Sequence, residues 1–133
     1  KILRGAKGAD EVCLITDAMA ACGMPEREYT LGPEKVIVKD GSCRLEDGTL
    51  AGSVLTMDRA VGWVIEEVGV KPWEAARMAA YNPARQLGLH ERKGSLQIGK
   101  DADVTVLNDR FEAIATFIEG RQLERDDPAR GSA

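Results

Sequence analysis

Short apolar runs separated by turn residues make up much of the chain. The clearest of them, residues 12–16, has the sequence Val-Cys-Leu-Ile-Thr and stops abruptly at Asp17. A buried parallel strand ends in this way when its carboxyl end opens into a site, because the core residues stop and an ionisable group is presented at the rim. Asp also favours turns and helix caps, so the spacing alone leaves both interpretations of Asp17 open.

The residues before this strand, 1–8, carry no helix cap and are expected to be the tail of a helix that leads into it. We therefore expect the sequence to begin inside a longer protein. After the strand, β-prone runs within residues 28–47 are punctuated by Asp40-Gly41 and Asp47-Gly48. Asp-Gly is a strong hairpin signal, because Gly supplies the positive φ that the turn needs. This hairpin region is expected to project from the strand–helix pattern rather than continue it.

Two helical stretches are predicted next. Ser53 is expected to cap a helix through Glu67, because apolar residues recur there at helical spacing. Gly69 is expected to end this helix, as glycine commonly does. Pro72 suits the first turn of the helix that follows.

The pattern changes again at Asn82-Pro83. Asn82 is expected to cap a short new helix that Gly88 closes. Beyond Gly94 the spacing becomes that of strands, with the β-prone run 111–118 as its longest part. The polar residues 124–133 are expected to form a frayed tail.

Composition limits the possible functions. The 133 residues are 44% hydrophobic and 30% charged, with a formal net charge of −4, which is typical of one soluble domain. No basic cluster suggests a nucleic-acid partner, and no apolar run suggests a membrane span. Three cysteines without paired spacing favour reduced thiols, so a cytoplasmic protein is expected. A nucleophilic role for Cys22 would need a nearby His base, and His90 lies far along the chain.

Four segments, in order, resemble a known family. Residues 15–24, Ile-Thr-Asp-Ala-Met-Ala-Ala-Cys-Gly-Met, and residues 48–57, Gly-Thr-Leu-Ala-Gly-Ser-Val-Leu-Thr-Met, are similar to motifs of the N-acetylglucosamine-6-phosphate deacetylases, in the amidohydrolase superfamily. Residues 78–85 and 94–104 resemble segments found across many amidohydrolases. The resemblance covers nearly the whole chain, and the first two segments are specific to the deacetylases.

The resemblance implies an α/β fold. The chain would be the C-terminal fragment of a (β/α)8 TIM-type metal-dependent hydrolase barrel, with its last strand and closing helices, plus strands of a small β-sandwich. Residues 1–93 would belong to the barrel, with the hairpin excursion at 28–47, and residues 94–123 to the sandwich, followed by the polar tail at 124–133. A complete barrel needs about 250 residues.

The same resemblance assigns roles to site residues. Asp17 would be the catalytic acid and base at the end of the last barrel strand. Leu50, Ala51 and Gly52 would form the substrate loop, although their spacing alone would favour a tight turn that introduces the helix. Ala51 departs from the serine of some relatives, a small change if the contacts come from the backbone.

The complete enzyme would use a divalent metal, zinc or similar. Apart from a possible contact from Asp17, its ligands would lie on segments that this chain lacks. His90 is expected on the surface rather than at a metal, and residues 100–103, with two Asp, are expected to form a turn. The partner would be a small-molecule amino-sugar phosphate, and the complete enzyme would be a homodimer.

The resemblance therefore predicts hydrolysis of an N-acetyl group to give glucosamine 6-phosphate and acetate, with this fragment inactive alone. Two alternatives stay open. Another amidohydrolase, such as a deaminase or a cyclic amidase, would share the segments at 78–85 and 94–104. A non-catalytic α/β module would have to fold as a stable monomer, which the exposed apolar flank of a lone barrel strand argues against.

Overall fold

A computed structural model describes residues 2–124, with the side chains of residues 5–124. Except for Glu124, the predicted polar tail lies outside the described residues. The helical elements and strands follow in chain order. They are α1 (Ile2–Lys7), a 3-10 turn (Ala9–Glu11), β1 (Glu28–Leu31), β2 (Glu34–Lys39), β3 (Ser42–Leu45), β4 (Leu50–Gly52), α2 (Met57–Trp63), a π-helical turn (Val64–Val68), α3 (Pro72–Ala76), a second π-helical turn (Arg77–Tyr81), α4 (Asn82–Gln86), β5 (Val104–Leu107), β6 (Ala113–Ile118) and β7 (Arg121–Gln122).

The predicted hairpins are confirmed as an antiparallel sheet of order β1-β2-β3-β4. Asp40 and Gly41 form the tight turn with φ of 49° and 68°, the pair of positive values that a type I′ hairpin requires. Alternate residues of β2 face inward, so that Val36 and Val38 pack with Cys43 in a small core. The alternation explains why local sequence signals were sufficient here.

The strands predicted beyond Gly94 are also confirmed, as an antiparallel sheet of order β5-β6-β7. Phe111 was expected inside a strand but lies before β6 with φ of 59°. Its side chain packs so closely on Gly62 of α2 that a Cβ at position 62 would lie 2.8 Å from the Cβ of Phe111. Tertiary packing against the helix therefore overrides the β propensity of Phe111.

Helix α2 begins at Met57 after Thr56, so the predicted start at Ser53 is wrong. The backbone carbonyl of Ser53 accepts a hydrogen bond from the N–H of Met19 at 2.8 Å, which keeps the chain extended at this point. The predicted end is confirmed, because Gly69 adopts the left-handed conformation with φ of 77°. No helix within residues 2–124 combines the length and apolar character needed to cross a membrane.

Helical conformation runs without a break from Pro72 to Gln86, and we call residues 72–86 the helical run. The predicted start at Pro72 is confirmed, but Asn82 is not a cap: its φ of −62° and ψ of −47° are helical. The N–H of Asn82 donates to the carbonyl of Arg77, five residues back. This wider turn lies directly before Pro83, whose ring would collide with a preceding carbonyl in a regular α-helix.

Residues 12–17, which we call the extended segment, join neither sheet of the described residues, and the strand predicted at 12–16 is buried there on one face rather than on both. Val12 is extended, with φ of −114° and ψ of 131°, and is buried against the helical run with Met78. The N–H of Leu14 donates to the carbonyl of Met78 at 2.9 Å. Ile15 is 74% exposed, because no neighbouring strand covers it here.

We predict that Gly94→Ala destabilises the protein much more than Gly99→Ala. Both glycines have positive φ, 84° and 91°, so each substitution introduces backbone strain of about 1–2 kcal/mol. A Cβ at position 94 would also lie 2.8 Å from the Cβ of Ala84 and 2.9 Å from the carbonyl oxygen of Ala80, whereas position 99 is open. Overpacking adds about 1–3 kcal/mol at position 94. Urea unfolding measures both losses, and equal losses would contradict the close packing at Gly94.

Candidate functional site

An open groove of about 710 Å³ lies where the loop after the extended segment meets β4. Asp17 lines this groove together with Leu50, Ala51 and Gly52. Asp17 is more than thirty positions away from residues 50–52 in the sequence, yet the fold places all four residues around one space. Their chemical roles stay predictions at this point.

Asp17 adopts the left-handed conformation, with φ of 50°, and is exposed. Asp tolerates this region better than most residues, although the conformation is still uncommon outside glycine. Strained backbone of this kind concentrates at functional sites, where the surrounding structure holds it in place. Here the turn at Asp17 ends the extended segment and directs the chain toward β4.

Two contacts join the loop after Asp17 to the loop around Gly52. Ala18 forms a parallel bridge with Ser53, supported by the 2.8 Å hydrogen bond from Met19 to Ser53. Gly52 packs on Met19 so closely that a Cβ at position 52 would lie 3.3 Å from the Cβ and Cγ of Met19. A larger residue at position 52 would require the side chain of Met19 to shift by a few tenths of an ångström, so glycine suits the close contact between the two segments.

The groove also contains residues that the sequence did not indicate as site residues. Asp40, at the tip of the β2–β3 hairpin, and Arg59, in the first turn of α2, both line it. The turn at Asp40-Gly41 was predictable, but the direction in which the hairpin points depends on tertiary packing. No local signal in the sequence could have placed these side chains beside Asp17.

Asp58 holds the start of α2 against the second sheet. Burial works to raise the pKa of Asp58, but hydrogen bonds from the Thr56 hydroxyl and from the backbone N–H groups of Arg59 and Ala113 outweigh it and hold the pKa below its ordinary value. Arg59 donates to Oδ1 at 2.8 Å and Ala113 to Oδ2 at 3.3 Å. The carboxylate of Asp58 therefore fixes the helix that follows the loop at 50–52.

The two Asp of the predicted turn at 100–103 are paired with a lysine. Lys93 lies 3.0 Å from Asp101 Oδ2 and also donates to Asp103. A hydrogen bond from Lys93 is the main reason why the pKa of Asp101 and the pKa of Asp103 are lowered. The hydrogen bonds to Asp103 and Asp101 in turn raise the pKa of Lys93. This pairing fits a turn stabilised by surface charge rather than a metal site.

The described residues supply no complete metal site. No group of three or more His, Cys, Asp or Glu within residues 2–124 is placed to hold an ion. Of the residues that line the groove, Asp17 and Asp40 are the carboxylates, whereas a catalytic zinc site needs about three protein ligands. The donor set of residues 5–124 does not fit such a metal by itself.

His90 and Cys22 lie outside the groove lining. His90 is partly exposed, with 37% of its side chain accessible, and its ring meets Tyr81 edge-on with the ring centroids 6.4 Å apart. Its Nε2 lies 3.2 Å from the carboxylate of Glu91. The thiol of Cys22 donates to the carbonyl of Val54 at 3.4 Å, so nothing in the described structure activates it as a nucleophile.

Comparison with known proteins places these features in a family. The profile of the amidohydrolase family matches residues 9–123. N-acetylgalactosamine-6-phosphate deacetylase of Escherichia coli O157:H7 is 44% identical over 112 residues, which are 84% of this chain and 30% of that protein. N-acetylglucosamine-6-phosphate deacetylase of Lysinibacillus sphaericus is 44% identical over 115 residues, which are 86% of this chain and 30% of that protein.

The fold is similar to solved structures as well. The crystal structure of N-acetylglucosamine-6-phosphate deacetylase from Pasteurella multocida matches with a TM-score of 0.85 at 33% identity, over 93% of this chain and 32% of that one. The chain thus spans about a third of the length of these relatives.

We predict that Asp58→Asn flattens the dependence of stability on acid pH. The lowered pKa of Asp58 means that its contribution is present above its unfolded-state pKa and is lost as pH falls through the folded-state pKa. Wild type should therefore lose more stability than the variant below about pH 5. Urea midpoints across that range measure the difference, with Glu67→Gln, an exposed carboxylate on the same helical stretch, as control. Parallel curves for wild type and Asp58→Asn would refute the assignment.

Proposed function

This chain belongs to the amidohydrolase family, and we propose that it is the C-terminal part of a deacetylase that removes the acetyl group from an N-acetylhexosamine 6-phosphate. One observation carries the proposal: Asp17 and residues 50–52, which come from the two deacetylase-like segments, line the same groove. The complete enzyme would release acetate and an amino-sugar phosphate. One relative named as an N-acetylgalactosamine-6-phosphate deacetylase and one named as an N-acetylglucosamine-6-phosphate deacetylase are each 44% identical to this chain over the aligned residues.

The extended segment supports a place in a barrel. Val12 and Leu14 pack with the helical elements, whereas Cys13 and Ile15 are exposed on the alternate face, as is Asp17. A strand of a (β/α)8 barrel has this division, with one face on the outer helices and the other toward the barrel interior. We therefore assign residues 1–93 to the last part of such a barrel and residues 94–123 to a small β-sandwich.

Asp17 supplies the proton chemistry in this proposal. An amide nitrogen is a poor leaving group until it is protonated, so hydrolysis needs a base for the attacking water and then an acid for the departing amine. One carboxylate can accept the proton from water and afterwards deliver it to nitrogen. Because Asp17 is exposed on the groove, its carboxylate is accessible both to the attacking water and to the amide nitrogen of a bound substrate.

A divalent metal such as zinc belongs to the proposal for the complete protein. Apart from a possible contact from Asp17, its ligands would lie outside the described residues, whose own donor set does not fit a metal. The homodimer implied by the resemblance stays a prediction for the complete protein.

Residues 50–52 are proposed to contact the sugar. Leu50 is 65% exposed on the groove, and the small residues Ala51 and Gly52 leave their backbone groups open to a close approach by a ligand. Because the contact to Met19 limits the size of residue 52, the conformation of this loop depends on the loop after Asp17.

We predict that Asp17→Asn in the full-length protein lowers kcat by about 10²–10⁴-fold, because an amide side chain cannot accept and return the proton. KM should change little, since the side-chain volume is kept. Steady-state release of acetate measures both constants. Asp109→Asn, an exposed carboxylate outside the groove lining, is the matched control and should behave as wild type. A kcat for Asp17→Asn close to that of the control would overturn the role of Asp17.

The identity of the sugar is tested separately. The 6-phosphates of N-acetylglucosamine and N-acetylgalactosamine differ in the configuration of one hydroxyl, and relatives named for each are 44% identical to this chain. We expect the full-length protein to deacetylate at least one of them, and kcat/KM for the two ranks them. Turnover of a cyclic amide or an amino-purine instead would favour another amidohydrolase. No turnover of any amide would favour a non-catalytic module.

A further inference from the structure

The path of the extended segment, and so the position of Asp17, is set by contacts outside both sheets. The helical run 72–86 supplies these contacts, and Asn82 is at their centre. The residue is 3% exposed and is the buried polar residue of the described core.

Asn82 uses both protons of its side-chain amide on the backbone that leads to Asp17. Nδ2 donates to the carbonyl of Ala9 at 2.7 Å and to the carbonyl of Val12 at 2.7 Å. Ala9 is the first residue of the 3-10 turn Ala9–Glu11, and Val12 follows its last residue. One side chain therefore holds both the entry of that turn and the first residue of the extended segment.

Pro83 makes a third contact to the extended segment possible, because it lacks the N–H that would otherwise pair with the carbonyl of Met78. In the π-helical turn the N–H of Asn82 donates to Arg77, so the next carbonyl, that of Met78, would pair with the N–H of residue 83. Proline has no N–H. The carbonyl of Met78 is thus left free, and it accepts from the N–H of Leu14 at 2.9 Å.

Arg77 and Arg85 also touch this turn, but from solvent. Arg77 Nε lies 2.6 Å from Asp10 Oδ1, with side chains 44% and 65% exposed, and Arg85 pairs with Glu11 at 3.2 Å. Exposed ion pairs hold geometry weakly because water and salt screen them. Arg85 also donates to the backbone carbonyl of Asp10 at 2.8 Å, so Arg77, which contacts the turn through its exposed ion pair with Asp10, is the better comparison for the buried amide.

We propose that Asn82 is a positioning residue for Asp17, acting through the carbonyls of Ala9 and Val12 and assisted by Pro83. This inference rests on the proposed function, because it gives Asn82 a part in the reaction that Asp17 performs. Asn82 touches neither the groove nor the reacting atoms. Its effect is to fix where the extended segment ends.

The test compares Asn82→Leu, which removes both donors at similar volume, with Asn82→Gln, which keeps an amide on a longer arm, in the full-length protein. Arg77→Ala is the control. With the favoured 6-phosphate sugar we expect kcat of Asn82→Leu to fall at least about tenfold while KM changes less than about threefold, because small misplacement of a catalytic group lowers turnover more than binding. Asn82→Gln should recover part of kcat, and the control should match wild type.

Amide exchange of Leu14 gives a readout that does not need activity. We expect exchange to be faster in Asn82→Leu than in wild type or Arg77→Ala, because the bond to Met78 depends on the same docking. If wild type deacetylates neither sugar phosphate, the proposed function fails, and this exchange still decides whether Asn82 sets the segment. Unchanged exchange would overturn the inference.

Three further results would also overturn it. These are a folded Asn82→Leu with the kcat of wild type, an equal loss of kcat in Arg77→Ala, and a failure of both Asn82 variants to give soluble protein. The last result would make Asn82 a requirement for folding rather than for the position of Asp17.

Discussion

The buried amide of Asn82 is the interaction on which the arrangement around the groove depends. The extended segment has no strand partner within the described residues, so its backbone would be free to shift without the two hydrogen bonds at 2.7 Å. A buried carbonyl left without a donor costs about 1–3 kcal/mol, and this side chain satisfies the buried carbonyl of Val12 as well as the partly buried carbonyl of Ala9. Among the described residues its own Oδ1 has no hydrogen-bond partner, so the two amide donors make the polar contacts of this side chain there.

From this docking point the constraint passes along the chain to the groove. The extended segment turns at Asp17, bridges to Ser53 at Ala18, and brings Met19 onto Gly52. The bridge and the hydrogen bond from Met19 to Ser53 are backbone contacts, and the side chain of Met19 packs on Gly52 beside them. The position of Asp17 relative to the loop at 50–52 therefore depends on main-chain geometry and on this one side-chain contact.

Features governed by local chemistry were predictable from the sequence, and those governed by distant contacts were not. The Asp40-Gly41 turn, the start at Pro72 and the end at Gly69 follow from backbone preferences of single residues, and the structure confirms them. The predicted start of α2 and the predicted capping role of Asn82 were wrong because of distant contacts. The carbonyl of Ser53 is bound by the N–H of Met19, about thirty-five positions away, and the amide of Asn82 donates to Val12, seventy positions away. Asp17 and residues 50–52 were found through resemblance, whereas Asp40 and Arg59 lacked any local signal.

The lack of a metal-ligand set among the described residues explains why a fixed position of the Asp17 carboxylate matters. Within the described residues the groove offers a carboxylate for proton transfer but no ligand set for a metal. In the proposed enzyme, the groups that bind the attacking water and the substrate phosphate would therefore come from other parts of a longer protein. A proton-transfer group works only within hydrogen-bond reach of its target, about 2.6–3.2 Å. In the proposed enzyme this chain supplies the proton-transfer group, and its own helical run must hold that group in place. The Asn82 amide and the carbonyl of Met78, which accepts from Leu14, make the contacts that do so.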